Sequence, residues 1–188
     1  MKTKLLVLFV MLAVGSAAAA TNYNVLSGNW TGTITTNSKD TTGGGKPTEG
    51  TTGTPVTITF STAGVGLTGD SIVGDSKENW KIENGEYTWN DGEVTVKTTS
   101  VSYNDIPTWA RTQAKLKAKD TYFAFKYASC TVNKTKAACV PGKDVPDGID
   151  KSGIWLFKVE KDKLQSAVYY TYTNGGKRIL EQSLAKKK

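Results

Sequence analysis

The sequence predicts an all-β protein, an antiparallel up-and-down β-barrel of eight to ten strands, with a β-sandwich as the alternative. Apolar and polar residues alternate along many short segments, as expected for strands with one buried and one solvated face. Pairs such as Asn84-Gly85 and Asp91-Gly92 separate consecutive segments and are typical of two-residue hairpin turns. Because sequential hairpins leave unpaired edges unless the sheet closes on itself, these observations favour the barrel.

The first twenty residues have the three parts of a secretory signal peptide. Lys2 and Lys4 supply a positive start, residues 5–14 are apolar, and the segment ends in small residues up to Ala20. We expect cleavage after Ala20, which leaves residues 21–188 as a single secreted, extracellular domain. The apolar run is too short to span a bilayer comfortably, so we expect no stable membrane insertion.

The first strand and its connection come next in the chain. Residues 31–36 alternate as a strand, and residues 56–60 form the second. Between them, residues 37–54 consist mainly of threonine, glycine and lysine without apolar periodicity. We expect this segment to be a long flexible loop.

The segment 79–101 predicts a three-stranded meander with two-residue loops at 84–85 and 91–92. Counting outward from these loops sets the register of each hairpin, and all the apolar side chains then share one buried face. The predicted apolar partners are Ile82 with Tyr87, Trp80 with Trp89, Trp89 with Val94, and Tyr87 with Val96.

The remaining strands follow from the same alternation, whereas one segment is ambiguous. Residues 107–119 alternate like a strand but contain strong helix formers after Pro107. We expect a short helix near 107–118, and a strand remains the alternative. The later strands are predicted at 123–127, 155–159, 164–172 and 177–184.

If the protein is secreted as expected, its two cysteines can form a disulfide bond and its two sequons can be glycosylated. Cys130 and Cys139 are the two cysteines of the chain, so we predict one intramolecular disulfide bond between them. Asn29 and Asn133 each begin an Asn-x-Thr triplet and are candidate glycosylation sites. Such triplets also arise by chance in a threonine-rich chain.

Composition narrows the functions that we expect. The chain contains no histidine, which excludes Ser-His-Asp and Cys-His nucleophiles, imidazole acid–base catalysis and His-ligated zinc. A glycosidase would need two nearby carboxylates, but Glu83, Glu86 and Glu93 are predicted to lie beside turns on the solvated side. The formal charge of +7 is spread along the chain without a dense basic patch. We therefore expect no enzyme, no cofactor, no metal and no nucleic-acid partner.

One short motif carries a resemblance to a known family. Gly28-Asn29-Trp30 opens the first strand after a short N-terminal segment, and it is similar to the G-x-W motif of the calycin superfamily, which comprises lipocalins, fatty-acid-binding proteins and avidins. In that superfamily a basic residue on the last strand packs over this tryptophan at the barrel base. The resemblance implies that role for Arg178 or Lys177, with Gly28 and Trp30 closing the barrel. The long loop after the first strand resembles the lipocalin lid loop.

The predicted inward face is rich in aromatic rings, which leads to our functional expectation. We expect a secreted protein that binds a small apolar ligand in a barrel cavity. A core filled by the same rings, which would leave an interaction protein without a cavity, is an open alternative. Another is a carbohydrate-binding module, which would present Trp80 and Trp89 to a glycan as an exposed coplanar pair. The candidate ligand-binding residues are Trp80, Tyr87, Trp89, Phe125, Trp155 and Tyr170.

Overall fold

The computed structural model of the protein describes residues 22–39, 51–63, 66–91, 94–132, 137–138, 153–171 and 177–188. Within these residues, ten strands form one closed antiparallel barrel in up-and-down order, so the predicted all-β fold class and barrel are confirmed. The barrel strands are β1 Gly28–Lys39, β2 Pro55–Ala63, β3 Gly66–Val73, β4 Ser76–Glu83, β5 Glu86–Asp91, β6 Val94–Ser100, β7 Thr121–Val132, β9 Ile154–Glu160, β10 Lys163–Thr171 and β11 Lys177–Lys186, and the short strand β8 Ala137–Ala138 lies outside this ring.

The barrel closes where the first and last strands pair. Strands β1 to β7 pair with one another in chain order. Strand β7 also pairs with β9, strands β9 to β11 pair in chain order, and β11 pairs with β1. The two-residue strand β8 pairs with the far end of β7, beyond the stretch that β9 occupies. Closure gives every one of the ten barrel strands two neighbours, which removes the exposed edges that an open sheet would present.

The central meander confirms one predicted register and corrects another. Trp80 lies opposite Trp89, as the first Asn-Gly loop predicts. In the second hairpin Trp89 lies opposite Val96, so the predicted partner Val94 is wrong by two residues. The observed register pairs Asn90 with Thr95, whose hydroxyl donates a hydrogen bond to the Asn90 side chain at 2.8 Å. Because the shift is even, the side chains keep their predicted faces.

The predicted loop at 37–54 begins too early. Strand β1 continues through residues 37–39, which pair with β11. At the other end of the segment, the Ile34 N–H donates to the Thr54 carbonyl at 3.0 Å, and the chain thus returns onto β1 before β2 begins. Residues 40–50 lie outside the described part of the chain. The error arose because polar strand residues at the barrel end lack the apolar alternation that identifies a strand.

The predicted helix forms, and it is shorter than expected. Helix α1 spans Thr108–Gln113, starting directly after Pro107. It stops before residue 118 because Lys115 adopts a left-handed conformation, with φ of +48°, which ends a right-handed helix. The helix packs on the outside of the barrel and creates a second apolar core there. Its buried members are Ile106, Ala110, Ala114, Leu116, Ala124, Ile154, Leu156, Ala167 and Tyr169.

A buried carboxylate joins this helix to the last strand. The Tyr169 hydroxyl donates a hydrogen bond to Glu181 at 2.5 Å, and the Gln113 side-chain amide donates to the second Glu181 oxygen at 3.2 Å. Glu181 is nearly inaccessible to solvent. Hydrogen bonds to a charged group stabilise more than neutral ones do, so this contact fixes α1 on the barrel wall.

The same contact predicts a loss of stability at alkaline pH. Burial, and then the hydrogen bond to Glu181 and its negative charge, raise the pKa of Tyr169 above its ordinary value of 10.0. The phenol stays neutral in the folded protein but ionises in the unfolded chain, so its contribution is complete below about pH 10 and falls above it. The urea midpoint should therefore fall less steeply above about pH 10 in Tyr169→Phe than in the wild type.

Only the slopes are compared in this experiment, since Tyr169→Phe also loses a hydrogen bond at neutral pH. The two proteins differ in this one ionisable group, so the difference between the two curves isolates the tyrosine. Parallel curves would contradict the prediction.

Candidate functional site

One end of the barrel, called the base here, is closed. A 3-10 helix at Tyr23–Leu26 precedes β1 and covers this end. Leu26 and Trp30 are fully buried, and the Trp30 indole N–H donates to the Leu26 carbonyl at 2.7 Å. The Tyr23 ring packs against Phe123, with centroids 5.2 Å apart. The base is therefore sealed by apolar packing around a satisfied indole.

A basic side chain covers this tryptophan, but it is not the predicted one. Lys186 lies opposite Trp30 in the β1–β11 pairing, with its ammonium nitrogen 5.3 Å from the ring centroid. Gly28 leaves room for the Lys186 side chain, since a Cβ at position 28 would lie 2.8 Å from the Lys186 Cε atom. Arg178 and Lys177 stand at the opposite end of β11, so the role predicted for them belongs to Lys186.

The other end of the barrel holds an open cavity of about 700 Å³. It opens beside the β3–β4 turn, and its walls come from β2 to β5 on one side and β9 to β11 on the other. Barrel diameter grows with strand number, so ten strands enclose more space than the eight that side chains can just fill. The aromatic side chains that line the cavity are Trp80, Tyr87, Trp89, Trp155, Phe157 and Tyr170.

Five of the six predicted ligand-binding residues thus line one cavity, and Phe125 does not. Phe125 is fully buried deeper in the core, with its ring centroid 5.7 Å from that of Tyr87. Phe157 takes a place in the lining that the prediction omitted. The alternation of residues 155, 157 and 159 already put its side chain on the same face as Trp155.

The positions of the two paired indoles depend on a glycine. Trp80 packs against Phe60, with centroids 4.4 Å apart, and lies opposite Gly69 on β3. A Cβ at Gly69 would lie 2.4 Å from the Trp80 ring and 1.8 Å from the Thr59 carbonyl oxygen. The absence of a side chain there gives the indole its place in the wall. Trp89, on the neighbouring strand, is only half-buried and faces the cavity.

A carboxylate lies among these rings, and the prediction missed it. One oxygen of Glu78 accepts hydrogen bonds from the Trp89 indole N–H at 2.6 Å and from the Ser71 hydroxyl at 3.3 Å. Burial, and to a smaller extent the negative charge of Glu78, raise the pKa of Tyr87 above its ordinary value. Glu78 shares strand parity with Trp80, and this signal could have placed it on the inward face.

A second charged side chain belongs to the opposite part of the lining. Arg178 is almost completely buried, and its guanidinium donates to the Asn37 side chain and, at 3.2 Å, to the Ile179 carbonyl. These partners lie on β1 and β11, so the group is held against the barrel wall. Ser166 and Gln182 add neutral polar groups to the lining. The cavity lining therefore combines six aromatic side chains with polar and charged groups, most of them on β3, β4, β10 and β11.

The exposed pair of indoles that a carbohydrate platform requires is not formed. Trp80 is buried, and both Trp80 and Trp89 face the cavity. Among the residues that the structure describes, the large exposed apolar side chains are Val25 and Ile72, and neither is aromatic.

The predicted modifications fall partly outside the described residues. Cys130 is buried on β7, and Cys139 lies outside the description, so their bond stays a prediction. The β7–β8 register sets Thr131, the neighbour of Cys130, opposite Ala138. Asn29 is exposed on β1. The second sequon, at position 133, and the expected signal peptide at 1–20 also lie outside the described residues.

The described residues contain neither a metal-binding cluster nor a membrane-spanning helix. Within the described ranges, no group of three or more Cys, Asp or Glu side chains could hold a metal ion. No helix in that part of the chain has the length and apolar character needed to cross a bilayer. The chain matches no protein-family model, and no curated protein matches it. The barrel and its cavity are therefore the features that bear on function.

Proposed function

We propose that this protein is secreted and binds a small, mostly apolar ligand in the open end of its barrel, as a binding protein rather than an enzyme. The observation that carries this proposal is a cavity of about 700 Å³ lined by six aromatic side chains above a sealed base. Pockets for small ligands typically measure about 300–1,000 Å³ and combine apolar walls with a few polar groups.

The half-buried indole of Trp89 favours a ligand cavity rather than a core filled by side chains. A large ring that only filled the interior would be covered by its neighbours, whereas Trp89 remains half-exposed at the cavity wall. A ligand that covers it removes apolar surface from water at about 25 cal/mol per Å². The fixed polar groups, such as Glu78 and Ser166, would then orient the ligand.

We also propose that the barrel is calycin-like. Three features support this relationship: Trp30 lies at the barrel base, a short helix covers it, and a basic residue of the last strand packs over the ring. Lys186 fills the place that the resemblance assigned to Arg178 or Lys177. Ligand pockets commonly occur in the mouths of β-barrels, which agrees with the position of the cavity.

Removing the Trp89 ring should weaken ligand binding. The neutral fluorescent probe N-phenyl-1-naphthylamine should bind wild-type protein with enhanced emission, and Trp89→Ala should raise its dissociation constant by about tenfold, equivalent to about 1.4 kcal/mol of lost contact. Fluorescence titration measures both constants.

Trp109→Ala is the matched control, because Trp109 is also half-buried but lies on the outside of the barrel, 5.8 Å from the Tyr169 ring. It should leave the dissociation constant within about twofold of the wild type. Absence of probe binding by the wild type, or equal effects of the two substitutions, would refute the cavity proposal.

A further inference from the structure

The cavity wall formed by β4 and β5 combines a negative charge with several ring faces. Glu78 precedes Trp80 by two residues on β4, so both side chains point inward. The β4–β5 register sets Asn79 opposite Asn90, which makes Trp89 a diagonal neighbour of Glu78. The hydrogen bond from the Trp89 indole holds the carboxylate beside the rings.

We infer that the ligand of this cavity is an organic cation, an amine or a quaternary ammonium compound, whose positive charge lies beside Glu78 and the neighbouring rings. The inference rests on the proposed ligand-binding function and names the chemical class of the ligand. The face of an aromatic ring carries a negative electrostatic potential that attracts cations, most strongly for tryptophan. A carboxylate at the same wall adds a full negative charge to that attraction.

The rings near Glu78 form a continuous surface. The Tyr87 ring lies 6.4 Å from Trp80 and 6.5 Å from Trp155, measured between centroids. With Trp89 beside the carboxylate, three indoles and one phenol surround this part of the cavity. Three or more rings around one cation are a known arrangement for binding methylated ammonium groups.

The basic residues of the lining are held by acceptors of the protein itself. Arg178 donates to Asn37 and to a backbone carbonyl on the β1–β11 side of the cavity. Lys77 lies at the rim, and its ammonium group forms an ion pair with Asp70 at 2.9 Å. These contacts hold the Arg178 guanidinium on the β1–β11 side of the cavity and pair the Lys77 ammonium group with Asp70 at the rim.

The electrostatic effect on a neighbouring group has the same sign. Burial is the larger cause of the raised pKa of Tyr87, and the negative charge of Glu78 is the smaller one, which disfavours a second negative charge at the Tyr87 hydroxyl. Burial opposes a charge of either sign, so it is the Glu78 charge that favours a cationic ligand group over an anionic one there.

The test uses three probes of similar shape that compete with N-phenyl-1-naphthylamine. Benzyltrimethylammonium carries a positive charge, neopentylbenzene is its neutral isostere, and 4-tert-butylbenzoate is negative. Wild-type protein should bind the cation about tenfold more tightly than the neutral isostere. Glu78→Gln keeps an acceptor for the indole and should reduce this preference to about twofold or less.

Glu83→Gln is the matched control, because Glu83 lies on the same strand and its side chain forms an ion pair with Lys81 at 2.5 Å, outside the cavity. It should retain the full preference for the cation. Equal binding of cation and neutral isostere, or tighter binding of the benzoate, would overturn the cation inference but leave the cavity proposal standing. If the neutral naphthylamine itself fails to bind, the proposed function fails, and the inference fails with it.

Discussion

Trp30→Ala should lower the free energy of unfolding by about 4 kcal/mol, the range of costs measured for removing a large aromatic side chain from a core. Trp30 is fully buried, and its indole N–H bonds to the Leu26 carbonyl, which would lose its partner. The substitution also removes the ring surface that Lys186 covers. Guanidinium unfolding followed by circular dichroism measures the change without dependence on tryptophan emission.

Two further variants separate the contributions at the base. Trp30→Phe keeps much of the volume but loses the indole donor, and it should cost about 1–2 kcal/mol. Trp109→Ala removes an equally large ring from a half-buried outer position and should cost less than half as much as Trp30→Ala. If Trp30→Ala lowers the free energy of unfolding by less than about 1 kcal/mol, instead of the expected ~4 kcal/mol, this ring does not seal the base.

Gly32→Ala should destabilise the barrel by about 3 kcal/mol, the upper part of the range for overpacking a tight site. Gly32 lies opposite Leu184, where β1 and β11 close the barrel. A Cβ at this position would lie 1.9 Å from the Ser183 carbonyl oxygen. Because this neighbour is backbone, the clash is relieved only if the two strands move apart.

Parted strands would expose new edges, so Gly32→Ala should also self-associate. Chemical unfolding gives the stability change, and light scattering reports the association. Gly74→Ala is the control: its Cβ would make an ordinary contact at 3.4 Å, and its φ of +58° makes alanine about 1–2 kcal/mol unfavourable. If Gly32→Ala costs no more than Gly74→Ala, the close approach of β1 and β11 is not a constraint.

Local sequence patterns predicted the faces of the strands well, because alternation and turn residues act over a few positions. The first hairpin shows this, since Asn84 and Gly85 both take the positive φ that the predicted turn requires. The second hairpin shows the limit of the rule. Taking Asp91 and Gly92 as the two loop residues gave the wrong partner for Trp89, because the strands pair with Asn90 opposite Thr95 instead.

Long-range pairing was beyond such patterns. Choosing Lys186 over Arg178 as the partner of Trp30 requires the β1–β11 register, which joins opposite ends of the chain and includes an irregularity between Ile34 and Thr36. The cavity was equally hidden, because its volume depends on how many strands close the barrel. Glu78 was different: its parity with Trp80 was readable from the sequence, but the prediction did not consider it.

The outer helix has a consequence for the mechanics of the barrel. Strands β9 and β10 are buried on both faces, since α1 covers residues such as Leu156 and Tyr169 while Trp155 and Tyr170 face inward. Among the described residues, no helix covers β3 to β5, and the outer residues of these strands are polar or exposed. We therefore expect β9 and β10 to open less readily than β3 to β5. Because Glu78 belongs to β4, a ligand that does not fit the cavity would be accommodated first by a small outward movement of β3 to β5.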